Sequence, residues 1–468
     1  MFFRSILALI ALLFAASACS TGNHPPQTSS ASGPETLPPQ IEREVGPAYS
    51  SRTLQAFVDR VGQKVANESN LPGPFHFFVL DDPVPNAHAI SSGYVFVTRG
   101  LLALIDDEAE LAAAIGHELG HIEKKHAAKR ERVRRDVTDA AVNAAVASGS
   151  VTVGRSVARE GLLALRRYSR DQELEADRLG VGYIVGAGYR GDAMTTLIEK
   201  LQLQARLEDE LMGPTPETDD RSALSTHPGP EQRLLALRVI DPARRPGNSG
   251  RETYLAAVDG MSIDDSPEEG FVRGASFLHP TMRLAFNALP DFRLFNAHDG
   301  VLGVGRDRSL LYFSCTGEEV PGRLDEWMRN ELKPTPTNIQ ATEIGGAEAA
   351  IGSKPRGSDT GLAQIRYVLV RRGPGICYFN LLSDGPDRDR RIEAMTAAAR
   401  SFHSLSDSQA AALEPFRLRV ISPAGSTAAA LAARMPYRDH QMERLLTLNG
   451  VISPTALMRL AQVKIVQP

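Results

Sequence analysis

Cysteine is scarce: only Cys19, Cys315 and Cys377 occur in 468 residues. A disulfide-built scaffold is thereby excluded, and at most one intramolecular bridge is available. Long apolar runs are also missing. Beyond residue 19 nothing approaches the ~20 residues that a membrane-spanning helix needs, so no such helix is expected. Charge of one sign is not in excess either, with 52 basic against 56 acidic side chains and a net charge of −4. Without a basic stripe, nucleic acid and other polyanions are poor partners. What is present is 42% hydrophobic residues, which suits two or three globular domains.

The odd cysteine has a telling position. Met1-Phe2-Phe3-Arg4 carries one positive charge, and the apolar run from Ile6 to Ala16 is too short for a bilayer span. It ends Ala16-Ser17-Ala18-Cys19-Ser20. The Ala-x-Ala suits a signal peptidase, and a cysteine directly after the cut resembles a bacterial lipobox, although the usual Leu three positions earlier is absent. We therefore expect a signal peptide over 1–18, a lipid on Cys19, and a flexible Ser/Thr/Pro/Gly-rich tether over 19–42. Ser20 favours the outer membrane, giving a lipid-anchored periplasmic protein; a soluble periplasmic or secreted protein is the alternative. An oxidising periplasm would let Cys315 and Cys377 pair.

The densest chemistry is His117-Glu118-Leu119-Gly120-His121. Residues i and i+4 of a helix share a face, so both imidazoles can reach one Zn²⁺ while Glu118 stands beside them as a general base. Asp107 followed by Glu110 offers a helix N-cap. Leu111, Ile115, Leu119 and Ile122 supply a core-facing stripe. Gly116 and Gly120 each cost about 1 kcal/mol in a helix interior, which suggests that another backbone lies close to them. His126 projects some 140° round from His121 and reads as a surface residue.

A catalytic zinc wants a third protein ligand and an open position. The candidate lies in Ser169-Arg170-Asp171-Gln172-Glu173-Leu174-Glu175-Ala176-Asp177-Arg178-Leu179-Gly180. Ser169 with Gln172 reads as a capping box that starts a helix, placing Glu173 near its beginning. Ala176 and Gly180 keep one face shallow enough to lie on Gly116 and Gly120. Asp177, at i+4 from Glu173, is positioned to accept a hydrogen bond from the far nitrogen of a liganding histidine.

These two motifs together resemble the M48 metallopeptidases. The stretch from Asn86 to Leu102 and Ser225-Thr226-His227-Pro228 with Arg233 extend the resemblance over about residues 45–240. It implies one Zn²⁺ per chain held by His117, His121 and Glu173, with Glu118 activating the water. His227 would act at the metal, as an extra ligand or as a stabiliser of the oxyanion. The implied function is a zinc endopeptidase of the cell envelope, acting on unfolded or stalled envelope proteins. A chaperone or assembly factor with restrained proteolysis is the second reading, and a peptidoglycan-binding scaffold with a vestigial protease domain the third. Tyr94-Val95-Phe96-Val97 is a candidate edge strand for pairing with extended substrates, or else ordinary core strand. The Ala/Val-rich run from Val137 to Val153 reads as a packed helix; a flap or a lipid-touching element is the alternative.

The fold class expected is α+β: a mainly helical zincin-like domain with a small edge-strand sheet over 43–242, an α+β accessory domain over 251–405, and a small module over 415–468. A breaker-rich linker from Pro242 to Gly250 separates the first two. The β-α-α-β order of the last segment, with Leu448-Asn449-Gly450, resembles LysM, a glycan-binding module, and implies contact with peptidoglycan.

Overall fold

The computed structural model describes residues 36–90, 92–148, 150–212, 230–240, 245–263, 266–297, 300–307, 309–354, 364–385 and 387–468. The signal peptide, Cys19, most of the tether and His227 lie outside the described residues. Within them, helix and strand are mixed, as an α+β chain requires.

The first region contains α1 (Pro39–Val45), α2 (Arg52–Ala66), β1 (His76–Leu80), β2 (Ala87–Ala89), β3 (Tyr94–Thr98), α3 (Arg99–Leu104) and α4 (Glu108–Glu123). It continues with α5 (His126–Ser148), α6 (Val151–Gly186), α7 (Ala193–Met212), α8 (Pro230–Ile240) and α9 (Arg251–Val258). Ser51 caps α2 by accepting from the Leu54 amide, and Leu54, Val58, Val61 and Val65 recur at helical spacing to bury one face. The sheet order is β1-β3-β2, with β1 parallel and β2 antiparallel to β3. Of the two readings of Tyr94–Val97, ordinary core strand is the one observed: β3 is central and β2 lies at the sheet's edge. Val95, Phe96 and Val97 are all fully buried. A strand covered on both faces reads as a continuous apolar run, which is why the sequence left its place in the sheet open.

Two helical expectations also change. The capping box at Ser169 starts no helix, because α6 runs unbroken from Val151 and carries Glu173 in its interior. Within 137–148, α5 is not buried in the core of its region: it is exposed along most of its length, with Val142 and Val146 56% and 77% exposed. It pairs with the first part of α6 as a projecting hairpin.

The second region holds a four-stranded antiparallel sheet of β4 (Phe271–Arg273), β5 (Ser276–His279), β6 (Leu284–Asn287) and β14 (His403–Ser404). Beside it lies a seven-stranded antiparallel sheet of β7 (Phe292–Ala297), β8 (Gly300–Gly305), β9 (Leu310–Thr316), β10 (Thr337–Ile344), β11 (Ala347–Ser353), β12 (Gln364–Arg372) and β13 (Gly375–Ser383). Its order is β10-β11-β12-β13-β9-β8-β7. Helices α10 (Leu324–Glu331) and α11 (Arg388–Ala399) pack on this sheet, and α12 (Asp407–Ala411) follows β14. Cys315 and Cys377 stand opposite each other on β9 and β13 and are joined by a disulfide.

The last region is β15 (Arg417–Ile421), α13 (Ala428–Ala433), α14 (Gln441–Leu448), a short α15 (Pro454–Leu457) and β16 (Val463–Gln467), with β15 and β16 antiparallel. Leu431, Leu445, Leu457, Val463 and Ile465 form its own core. It is nevertheless bound into the first region. Leu418 and the α9 side chains Tyr254, Leu255 and Val258 belong to the first core. Segment 245–250 is packed as well: Ser249 O accepts from the Ala109 amide, and Asn248 pairs with the Tyr189 backbone.

The tightest link is Lys464, which is fully buried. Its Nζ donates to the carbonyls of Ala103, Leu104 and Ile105 at 2.7, 3.1 and 2.7 Å, just where α3 ends. It also pairs with Asp106 at 2.9 Å, which Lys200 reaches from the other side at 2.6 Å. An ammonium is well placed at a helix C-terminus, where carbonyls lack partners. Burial pushes Lys464 down to about 8, with Asp106 opposing the shift.

Candidate metal centre

Helix α4 begins as the sequence suggests, with Asp107 Oδ1 accepting from the Glu110 amide at 2.9 Å. The Glu110 carboxylate does not complete a capping box. It accepts instead from the Asp106 amide and from Lys200 Nζ, each at 2.7 Å. Every residue from Glu108 to His121 is buried, so α4 is the central helix of its region. Its two glycines meet α6 closely. A Cβ on Gly120 would stand 2.9 Å from Ala176 O, and one on Gly116 would stand 3.2 Å from Gly180 O. This approach lets a carboxylate on α6 reach the histidines on α4.

His117, His121 and Glu173 converge, with one candidate ligand atom from each lying within 4.8 Å of the others. The two Nε2 atoms are 2.9 Å apart. Glu173 Oε2 is 3.3 Å from His117 Nε2, and Oε1 is 3.4 Å from His121 Nε2. Ligands bound to a tetrahedral Zn²⁺ at about 2.0–2.1 Å stand roughly 3.3 Å from one another, so the donor set fits that ion.

The hydrogen bonding points the same way. His117 Nδ1 lies 2.8 Å from Asp177 Oδ1. A carboxylate can only accept here, so His117 carries its proton on Nδ1 and turns the Nε2 lone pair inward. A lone pair facing a second imidazole nitrogen and a buried carboxylate repels both unless a cation lies between them.

Arg233 completes the surroundings. Its Nε and Nη2 hold Asp177 in a two-point contact at 2.7 and 2.6 Å, and its Nη1 is 3.5 Å from Glu173. Burial pushes the Asp177 carboxyl up, but Arg233 and His117 outweigh it and hold it at about 2. Burial and Arg233 push His117 down, while hydrogen bonds to Asp177 and Glu173 outweigh them and lift it to about 9. The pocket therefore favours positive charge around the His117 ring, supplied by a second proton on Nε2 or by a cation in its place. Glu118, Glu173 and Asp177, when ionised, leave about two negative charges beyond Arg233, the amount a divalent cation balances. Glu118 is buried and lines a cleft with Pro85, Asn86, Ala87, His117, Leu197 and Arg233.

One histidine was misplaced by sequence reasoning. His126 is fully buried and its ring packs edge-on against His121, with centroids 4.9 Å apart. The 140° extrapolation assumed one continuous helix. In fact α4 stops at Glu123, Lys125 takes a left-handed φ of 53°, and a new helix begins at His126. Lys124-Lys125 carries no glycine or proline, so the break gave no sequence signal. Arg233 was singled out only as part of the motif around His227, and its grip on Asp177 emerges from the structure alone.

Residues 52–241 match the model of peptidase family M48. Among curated relatives, the beta-barrel assembly-enhancing protease of Escherichia coli (strain K12) is 28% identical over 238 residues, covering 48% of this chain and 47% of that protein. The mitochondrial metalloendopeptidase OMA1 of Arabidopsis thaliana is 31% identical over 201 residues, covering 41% of this chain and 38% of that one. Metalloprotease LoiP of Escherichia coli (strain K12) is 27% identical over 200 residues, covering 42% of this chain and 72% of that one. The chain spans about half the length of the first of these relatives.

Proposed function

From the match of residues 52–241 to peptidase family M48, we propose that the chain is a zinc-dependent endopeptidase of the bacterial cell envelope. The observation that carries the proposal is the convergence of His117, His121 and Glu173 around one point, with Glu118 beside it in a cleft. Two imidazoles and one carboxylate are a hydrolytic donor set that leaves a fourth position open. Bound there, Zn²⁺ supplies Lewis acidity and lowers the pKa of a coordinated water.

The chain's own residues do the rest. Glu118 takes on its carboxylate the proton that the attacking water gives up as its oxygen bonds the scissile carbonyl carbon, and returns it to the amine nitrogen as the C–N bond breaks. Asp177, fixed by Arg233, keeps the His117 proton on Nδ1 and so keeps Nε2 available. His227 acts at the metal, as a ligand or as an oxyanion stabiliser. Substrate enters as an extended chain along β2, since Pro85, Asn86 and Ala87 line the same cleft as Glu118. Main-chain pairing selects for accessible, unfolded segments, which suits quality control of misfolded or unassembled envelope proteins. A relative named for enhancing β-barrel assembly supports that direction. Lipid on Cys19 would hold the enzyme at the outer membrane, and the LysM-like segment would contact peptidoglycan.

Zinc content and casein cleavage, measured together on wild type and Glu118→Gln, test the reading. The expected result is one zinc in each protein and a 10²- to 10⁴-fold loss of cleavage in the variant, on the order expected for a general base. A wild type that takes up no zinc and cleaves nothing overturns it.

A further inference from the structure

His126 is a buried histidine that the chemistry above leaves unused. Its Nδ1 lies 2.9 Å from His121 Nδ1, and its Nε2 lies 3.1 Å from Glu175 Oε2. These two contacts fix every proton in the chain of groups. His121 ligates through Nε2, so its proton must sit on Nδ1, which donates to His126 Nδ1. A nitrogen that accepts carries no proton, so His126 holds its own on Nε2, and that N–H donates to Glu175. No other neutral arrangement satisfies both contacts while leaving His121 Nε2 free to bind a cation.

We propose that His126, oriented by Glu175, is the positioning residue that holds His121 in the tautomer and rotation required of a metal ligand. The inference rests on the metallopeptidase reading and deepens it. The two liganding histidines are then held by unlike devices. His117 is backed directly by the buried, Arg233-clamped carboxylate of Asp177. His121 is backed by a neutral imidazole, whose own anchor, the Glu175 side chain, is 47% exposed.

The break at Lys124-Lys125 is what makes this possible. It turns α5 so that its first residue faces back over the last turn of α4. Arg130 Nη1 then reaches Gln172 Oε1 at 3.2 Å, one helical turn further along. The base of the projecting hairpin is thus closed by contacts that start at a metal ligand.

The test uses full-length wild type, His126→Phe, His126→Asn and Glu175→Ala. Zinc affinity is measured by competition with a chromophoric chelator, and the visible spectrum of the Co²⁺-loaded forms reports ligand geometry. His126→Phe fills the space but cannot accept, and should bind zinc about 10- to 100-fold more weakly, the range for losing such an outer partner. His126→Asn puts an acceptor oxygen near the former Nδ1 and should recover most of that loss together with the wild-type cobalt spectrum. Glu175→Ala should weaken binding by a smaller factor, about 3- to 10-fold. Its exposed position makes it the deciding variant should His126→Phe fail to fold. Wild-type affinity and an unchanged cobalt spectrum in both His126→Phe and Glu175→Ala would overturn the assignment. A wild type without zinc is a different result, and removes the peptidase reading along with it.

Discussion

Replacing Lys464 by Met removes one ammonium at nearly constant volume, and the structure sets what should follow. Three carbonyls at the end of α3 lose their donor. Each buried, unsatisfied group costs about 1–3 kcal/mol. Asp106 loses one partner but keeps Lys200 at 2.6 Å, so it is not left as a lone buried charge. Relief from burying the lysine charge offsets part of the loss. The net effect is destabilisation by about 3 kcal/mol. With a urea dependence of about 3 kcal/mol per molar for a region of this size, the midpoint moves down by about 1 M.

The chain carries its own control for this experiment. Its single tryptophan, Trp327, lies on α10 and packs in a separate core beside β11 and β12. Far-UV circular dichroism, dominated by the helical first region, should show the shift while Trp327 fluorescence stays in place. If the two transitions move together, or neither moves, the reasoning about Lys464 is wrong. The pH dependence has a definite sign. Lys464 sits at about 8 in the folded protein against 10.5 when unfolded, so the folded state sheds its proton first. Its contribution to stability therefore rises as pH climbs from 8 towards 10.5. The margin of wild type over Lys464→Met should widen by about 2 kcal/mol between pH 7.5 and 9.5.

Gly120→Ala forces a methyl to within 2.9 Å of the Ala176 carbonyl, and should cost about 1–3 kcal/mol while weakening zinc binding by pushing Glu173 away. Gly182→Ala, in the same helix as Glu173 but with nothing within 4 Å, should instead stabilise by up to about 1 kcal/mol in a thermal melt. Chelation should lower the helical transition and leave Trp327 unmoved. Restoring zinc at a thousand times its dissociation constant should return about 4 kcal/mol. A melt indifferent to chelator would contradict the cation site.

The site was legible where chemistry follows helical spacing. His117 and His121 share a face, as do Glu173 and Asp177, and the small residues between them mark where the helices touch. These inferences need only the 3.6-residue repeat. Legibility ended wherever the chain departs from a regular element or joins distant segments. A two-residue break hid His126, and a central strand covered on both faces could not be told from an edge. An uninterrupted helix overrode the capping signal at Ser169, because tertiary packing outweighs a local cap. No periodicity could pair Lys464 with Asp106, since the two are far apart in sequence and neither looks unusual alone.

That last pairing has a consequence for the order of assembly. The floor beneath the histidine helix is finished by a side chain that leaves the ribosome, and crosses any membrane, more than three hundred residues after the histidines themselves. Contacts of such separation form late, because the loop they close is long. A framework wired in this way stays incomplete until the chain has been delivered at least as far as Lys464, which defers full rigidity around the histidine helix to that moment.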